Sequence, residues 1–254
     1  MKYKIIRWIL GLATRKMMIY KPYMAPIRVP RFVLTHQSPQ GSTLEALIKA
    51  YQKVFQEASN WAETWSREAV QEKLEREVGR KTSFLVTMEG DLEMPIAGFA
   101  WGEILHPNQL GYRIGKALQK TPADFDHLAN KLIRRGVNRF VYADEFGIIS
   151  SFRSGIDPVR GLLQPWLEWA WLEKQVFACL FWTTQSSPIY KLGLYMGFEP
   201  IFRTQVEGKD IVFILNRDFR PLLKICQNLK TRKITMLMVM AEKILGRRKR
   251  RKTK

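Results

Sequence analysis

The run Arg153-Ser-Gly-Ile-Asp-Pro-Val-Arg160 sets a small, glycine-bearing loop directly before a helix-like stretch. The first amides of a helix have no partner within it, and the positive end of the helix dipole lies beside them. Such a start holds an anion, a diphosphate above all. Ser154, Gly155 and Ile156 would supply the amides, with Gly155 allowing close backbone approach. Arg153 and Arg160 would pair with phosphate oxygens. Asp157 repels a phosphate, yet before Pro158 it is a sound helix cap. Just upstream, Asp144 and Glu145 are adjacent carboxylates in the strand-like run 139–150. Alternation along a strand puts Tyr142, Asp144 and Phe146 on one face and Glu145 on the other, unless a bulge intervenes.

Other reactive residue types point to less. His36, His106 and His127 have no ligand spacing, and Cys179 and Cys226 form no Cys-x-x-Cys pair, so no metal is expected. Cys179 sits in an apolar strand and reads as inert core. Trp166, Trp169 and Trp171 read as helix packing or as an exposed aromatic face for a partner. Neither Gly-x-x-x-x-Gly-Lys-Ser/Thr nor Gly-x-Ser-x-Gly occurs.

The elements that must position these residues follow from periodicity. A strand is expected over 31–36, then a helix opened by Ser42-Thr-Leu-Glu45 as a capping box, its apolar residues from Leu44 to Phe55 spaced by three and four. A second helix is expected over 66–78, with its Glu and Lys/Arg on the open face. Strands at 82–88 and 95–105 flank a polar, glycine-bearing loop and suggest a hairpin. Residues 106–137 read as an inserted helical segment, Thr121-Pro122 marking a helix start. Strand 139–150, helix 158–174, strand 176–183, a helix from Ser187-Pro188, and strands 198–204 and 210–216 complete the domain. Pro165 falls inside helix 158–174 and is expected to kink it or displace its start.

The chain has 254 residues, 46% of them hydrophobic and 12% aromatic, which excludes a disordered chain. No stretch reaches the ~18–20 uninterrupted apolar residues of a membrane span. With two isolated cysteines, a reducing, cytoplasmic setting is expected. The net charge of +19 is carried by the ends: residues 1–31 hold +8, 32–218 hold −1, and 219–254 hold +12. The expected organisation is therefore a cationic arm over 1–30, a domain over 31–218, and a C-terminal helix and basic tail over 219–254. Segments 1–21 and 230–254 mix cations with apolar residues, which suits nucleic acid, an anionic membrane surface or a plain solubilising tail.

Over 31–218 this element order resembles the GNAT superfamily of acetyl-CoA-dependent N-acetyltransferases. Two stretches carry the resemblance. One is Phe146-Gly-Ile148-Ile-Ser-Ser-Phe152-Arg153-Ser-Gly155-Ile-Asp-Pro-Val-Arg160-Gly-Leu162-Leu163; the other is Tyr195-Met196-Gly197-Phe198-Glu199-Pro200. The family loop commonly reads Arg-Gly-x-Gly-x-Gly/Ala, and this chain departs from it with one residue more before the Leu pair. The resemblance implies an α/β (α+β) fold, a mixed and mostly antiparallel sheet flanked by helices, with acetyl-CoA as co-substrate and an amine as acceptor. It implies that Phe146, Gly147 and Ile148 offer backbone groups to the pantetheine arm, and that Ser186 stands where relatives often have a cofactor-contacting Asn. It places the general base at Asp144, with Glu145 second. The family's acid Tyr falls at Gly193, leaving Tyr190, one turn earlier, as candidate. The acceptor stays open among a small amine, a polyamine and a protein amino group. The rival reading is a catalytically degenerate GNAT-fold binding module tethered by its basic arms.

Overall fold

The computed structural model describes residues 30–57, 64–115, 118, 120–153 and 157–228. The basic arms, 1–29 and 229–254, lie outside the described residues. Seven strands form one sheet in the order β1-β2-β3-β4-β5-β7-β6. They are β1 (Phe32–Thr35), β2 (Ser83–Glu89), β3 (Ile96–Leu105), β4 (Phe140–Ile148), β5 (Cys179–Thr184), β6 (Glu199–Val206) and β7 (Lys209–Asn216). The helices are α1 (Gly41–Glu57), α2 (Arg67–Glu77), α3 (Leu110–Ile114), α4 (Asp126–Arg134), α5 (Asp157–Leu172), α6 (Pro188–Tyr195) and α7 (Arg220–Asn228). Every strand pairing is antiparallel except β4 with β5. The mixed, mostly antiparallel α/β architecture expected from the sequence is the one observed.

β3 is buried along its whole length because helices cover both faces of the sheet. Phe99 and Trp101 point to a core built with α1 and α2, while Ala100 and Ile104 point to one built with α5 and α7. The inserted segment adds Leu110, Ile114, Phe125, Leu128 and Leu132 to a third core beside Phe140, Tyr142 and Phe213. Each such side chain stabilises the fold by roughly 1.5–3 kcal/mol on full burial. Trp166 and Trp169 belong to the α5 core, so the packing reading of the tryptophans holds for these two.

Several local expectations change. α1 starts at Gly41, and Glu45 does not close a capping box: its carboxylate bonds the Arg67 guanidinium, whose charge outbids a neutral amide. α2 begins at Ser66, whose hydroxyl accepts from Ala69 N at 3.1 Å. Its Lys73 and Glu77 are buried rather than on the open face. α5 continues through Pro165 to Leu172, with Phe32 of β1 packed so tightly on Gly161 that any added Cβ would overlap its ring. β5 starts at Cys179, later than expected. Among the described residues no helix is long and apolar enough to cross a membrane.

Candidate active site

The sheet opens between its two central strands. β4 and β5 pair only at Val141↔Cys179 and Tyr142↔Leu180. Beyond that point β4 stays with β3 as far as Ile148, and β5 stays with β7 as far as Thr184. The result is a cleft between the free edges of 143–148 and 181–184. Its apex coincides with a bulge. Trp101 faces Glu145 and Gly102 faces Ala143, which leaves Asp144 without a partner in the ladder. A bulge bends the strand and steepens its twist, which draws β4 away from β5. Gly102 makes the bulge feasible, since a Cβ there would overlap the Tyr142 carbonyl oxygen.

The bulge corrects the simple alternation: Asp144 and Glu145 share one face and join a buried charged cluster under α2. Asp144 Oδ2 accepts from Arg113 Nη2 at 2.5 Å. Arg113 also bonds Glu103 and lies 3.5 Å from Glu77 Oε1. Glu145 Oε1 is 3.1 Å from Lys73 Nζ and accepts from the Tyr51 hydroxyl at 3.2 Å. Lys73 Nζ donates to Glu77 Oε1 at 3.1 Å, and Trp101 Nε1 donates to Glu77 Oε2 at 3.0 Å. Buried ions persist only when paired and hydrogen-bonded in this way.

Burial, reinforced by the Glu77 charge, pushes the Asp144 carboxyl up to about 8 against the pull of Lys73 and Arg113. Burial also works against Glu77, but Lys73, the Asp144 hydrogen bond and Arg113 outweigh it and hold Glu77 ionised well below the usual carboxylate range. The two acids are thus pushed in opposite directions, Asp144 toward its neutral form and Glu77 toward its charged one. Burial raises Glu145 as well, with Lys73 opposing. Burial and the Glu145 charge lift the Tyr51 phenol well above its ordinary value.

The loop after β4 is less open than its sequence suggests. Ile149 N donates to Ala97 O at 2.9 Å, Ser150 N to Glu57 Oε2 at 2.7 Å, Phe152 N to Ile149 O at 2.9 Å, and Arg153 N to Ser150 O at 3.2 Å. A 3-10 turn, Ser150–Phe152, lies between the end of β4 and Arg153. Arg153 Nε donates to Ile148 O at 2.6 Å, and Arg160 Nη2 lies 3.2 Å from Asp157 Oδ1. Ser154, Gly155 and Ile156 lie outside the described residues.

The remaining candidates are placed as follows. Phe146 and Ile148 contact the α5-side core, and Gly147 packs against Phe99 and Val54 from the other face. Tyr190 is half-buried on the α5 side of the sheet, opposite to Asp144 and Glu145. Gly193 presses α6 onto Ile214 and Phe181, so that position faces the sheet rather than the cleft. Ser186 is exposed with its Oγ 3.4 Å from Thr184 Oγ1, while Ser187 caps α6 by accepting from Ile189 N at 3.1 Å. Cys179 is buried and its thiol is pushed far up by desolvation. Tyr51, Lys73, Glu77, Glu103 and Arg113, which hold the two carboxylates, are not singled out by the sequence. The available signal was the spacing of Lys73 and Glu77, which share the helical face of Val70, Leu74 and Val78.

No family model matches the chain, and no curated protein sequence matches it. Among solved structures the chain is similar to the Drosophila melanogaster polyamine N-acetyltransferase, at 12% identity over 74% of this chain and 100% of that one, with a TM-score of 0.50. It is similar to the same degree, 12% identity and a TM-score of 0.50, to a candidate GnaT-family acetyltransferase from Bordetella pertussis, over 73% of this chain and 95% of that one. The fold is that of the GNAT acetyltransferases.

Proposed function

We propose that this GNAT-fold chain is a divergent N-acetyltransferase that moves an acetyl group from acetyl-CoA to an amine by direct attack. The observation that carries the reading is the cleft between β4 and β5, with a bulge of β4 at its apex where two buried carboxylates, Asp144 and Glu145, are held. An extended, amide-rich chain laid in the cleft completes the interrupted ladder, in the way an added strand pairs with a sheet edge. The start of α5 at Asp157 then lies beyond the end of β4, where the positive end of the helix dipole favours the diphosphate.

In the reaction the amine nitrogen bonds to the thioester carbonyl carbon, the carbon–sulfur bond breaks, and the leaving thiolate takes a proton. The amine must shed a proton, and Asp144 is the proposed acceptor, directly or through a water. Its raised proton affinity suits that task near neutral pH. Tyr190, on the opposite face of the sheet, is the proposed donor to the thiolate. Arg113, Glu77 and Lys73 act as positioning residues that fix the bulge carboxylates. The Drosophila structural neighbour's name makes an amine of the polyamine class one concrete acceptor to assay.

A second reading is favoured by the internally bonded amides of 149–153 and by the Asp157–Arg160 pair. In it the chain is a binding module with the fold but no turnover, tethered through 1–21 and 230–254 to nucleic acid or an anionic membrane. Isothermal titration of the full chain with acetyl-CoA separates the two. The enzyme reading expects saturable one-to-one binding in the micromolar range, weakened by Arg153→Ala. A flat titration at high micromolar concentration leaves the binding module.

A further inference from the structure

A cavity of about 810 Å³ opens at the other end of β4 from the cleft, where β3 ends and the inserted segment begins. Its walls carry Arg76, Arg80, Arg113 and Arg139 against one acid, Glu103, with Tyr112 at its side. The acids that serve these arginines are mostly buried behind them: Glu103 at 3% and Glu77 at 1% side-chain exposure. The cations face out, Arg80 at 50% and Arg76 at 36%. Arg76 also lies 3.5 Å from Glu72, which is exposed. Arg139 is exposed, and its hydrogen bond is to the Lys174 carbonyl at 3.4 Å, with no carboxylate partner among the described residues. The charge a solute meets is therefore positive although the cluster as a whole is nearly balanced.

We propose that this cavity is a binding site for a small ligand bearing two or more carboxylate or phosphate groups. Planar guanidinium forks from α2, from its C-terminal turn and from the start of β4 converge on it, and such forks take carboxylate or phosphate in a bidentate manner. The volume lies in the range of small-molecule pockets, roughly 300–1,000 Å³. Tyr112 is 79% exposed and offers a flat apolar surface beside the cations. Two walls, the 106–109 turn and α3, come from segment 106–137. It touches the carboxylate cluster through Glu103, Arg113 and Arg76, whose Nη2 donates to Glu77 Oε1 at 3.0 Å.

The test is isothermal titration of the full chain at about 0.15 M salt, where long-range attraction to the basic arms is screened, with citrate and separately with inorganic pyrophosphate. At least one probe is expected to bind saturably at one site, and the double variant Arg80→Ala/Arg139→Ala to weaken it about tenfold or more. Binding of citrate alone, of pyrophosphate alone or of both identifies which anion chemistry the site accepts. Both altered side chains are exposed; Arg139→Gln alone repeats the comparison with the smallest change and is expected to weaken binding in the same direction. Absence of saturable binding by either probe, or equal binding by wild type and both variants, overturns the proposal; equal binding would place the anion on the arms or on α5 instead.

Discussion

Asp144 holds its proton more tightly than an ordinary carboxyl because burial and Glu77 penalise its charge more than Lys73 and Arg113 relieve it. A base must be unprotonated to act, so its active form accumulates as pH rises through about 8. The kcat/KM for acetyl transfer is predicted to climb across that range. Asp144→Asn should remove the climb and lower kcat by on the order of 10²–10⁴. Loss of the climb in Glu145→Gln with its retention in Asp144→Asn would move the base to Glu145. Stability follows the same sign. A carboxyl whose folded pKa lies above its unfolded value stabilises the fold fully below the unfolded value, and that contribution is lost as pH rises toward about 8. Glu77, held low, acts oppositely: its contribution is present above the unfolded carboxylate value and is lost on acidification. At this scale the sequence was half legible. Adjacent acids in an apolar strand stood out, but their partners did not. Lys73 and Glu77 look like an ordinary solvated pair four apart, and only the packing of α2 shows that they are buried. Arg113 lies thirty-one positions from Asp144, beyond any local pattern.

At the scale of elements, the bulge decides that Asp144 and Glu145 share one face and join the cluster under α2. Gly102 is its steric condition, because a side chain there would meet the Tyr142 carbonyl and the Ala143 Cα, both backbone. Gly102→Ala is predicted to cost about 1–3 kcal/mol, the usual range for overpacking a tight site. It should also depress acetyl transfer beyond what the lost stability explains, since the shifted backbone carries Asp144. Urea unfolding together with single-turnover rates checks both. A variant as stable and as active as wild type would show that the bulge does not depend on this glycine. The strands and long helices were readable from periodicity, because each buries one face and repeats accordingly. The bulge and the cleft were not, because both are properties of two strands together: a one-residue shift in the β3–β4 register and a pairing that stops after Tyr142. Pro165 does not displace the helix start: α5 opens at Asp157 and runs through that residue, with Trp166 and Trp169 beyond it anchored in the core.

At the scale of the molecule, two working ends are set on one strand. β4 enters at Phe140 beside the arginine-lined cavity and leaves at Ile148 beside the cleft, with the Arg113–Asp144 cluster between them. The element order together with the stretches 146–163 and 195–200 pointed to the fold, although identity to the two structural neighbours above is 12%. Layering and strand order survive when loop residues do not. The claim on which the rest depends is that acetyl-CoA lies along the unpaired edge of β4. Hydrogen–deuterium exchange of the full chain, with and without acetyl-CoA, tests it most directly. The account predicts slowed exchange in 143–148 and at the start of α5, in wild type and in Asp144→Asn alike. Unchanged exchange at 143–148, with or without protection elsewhere, would contradict it.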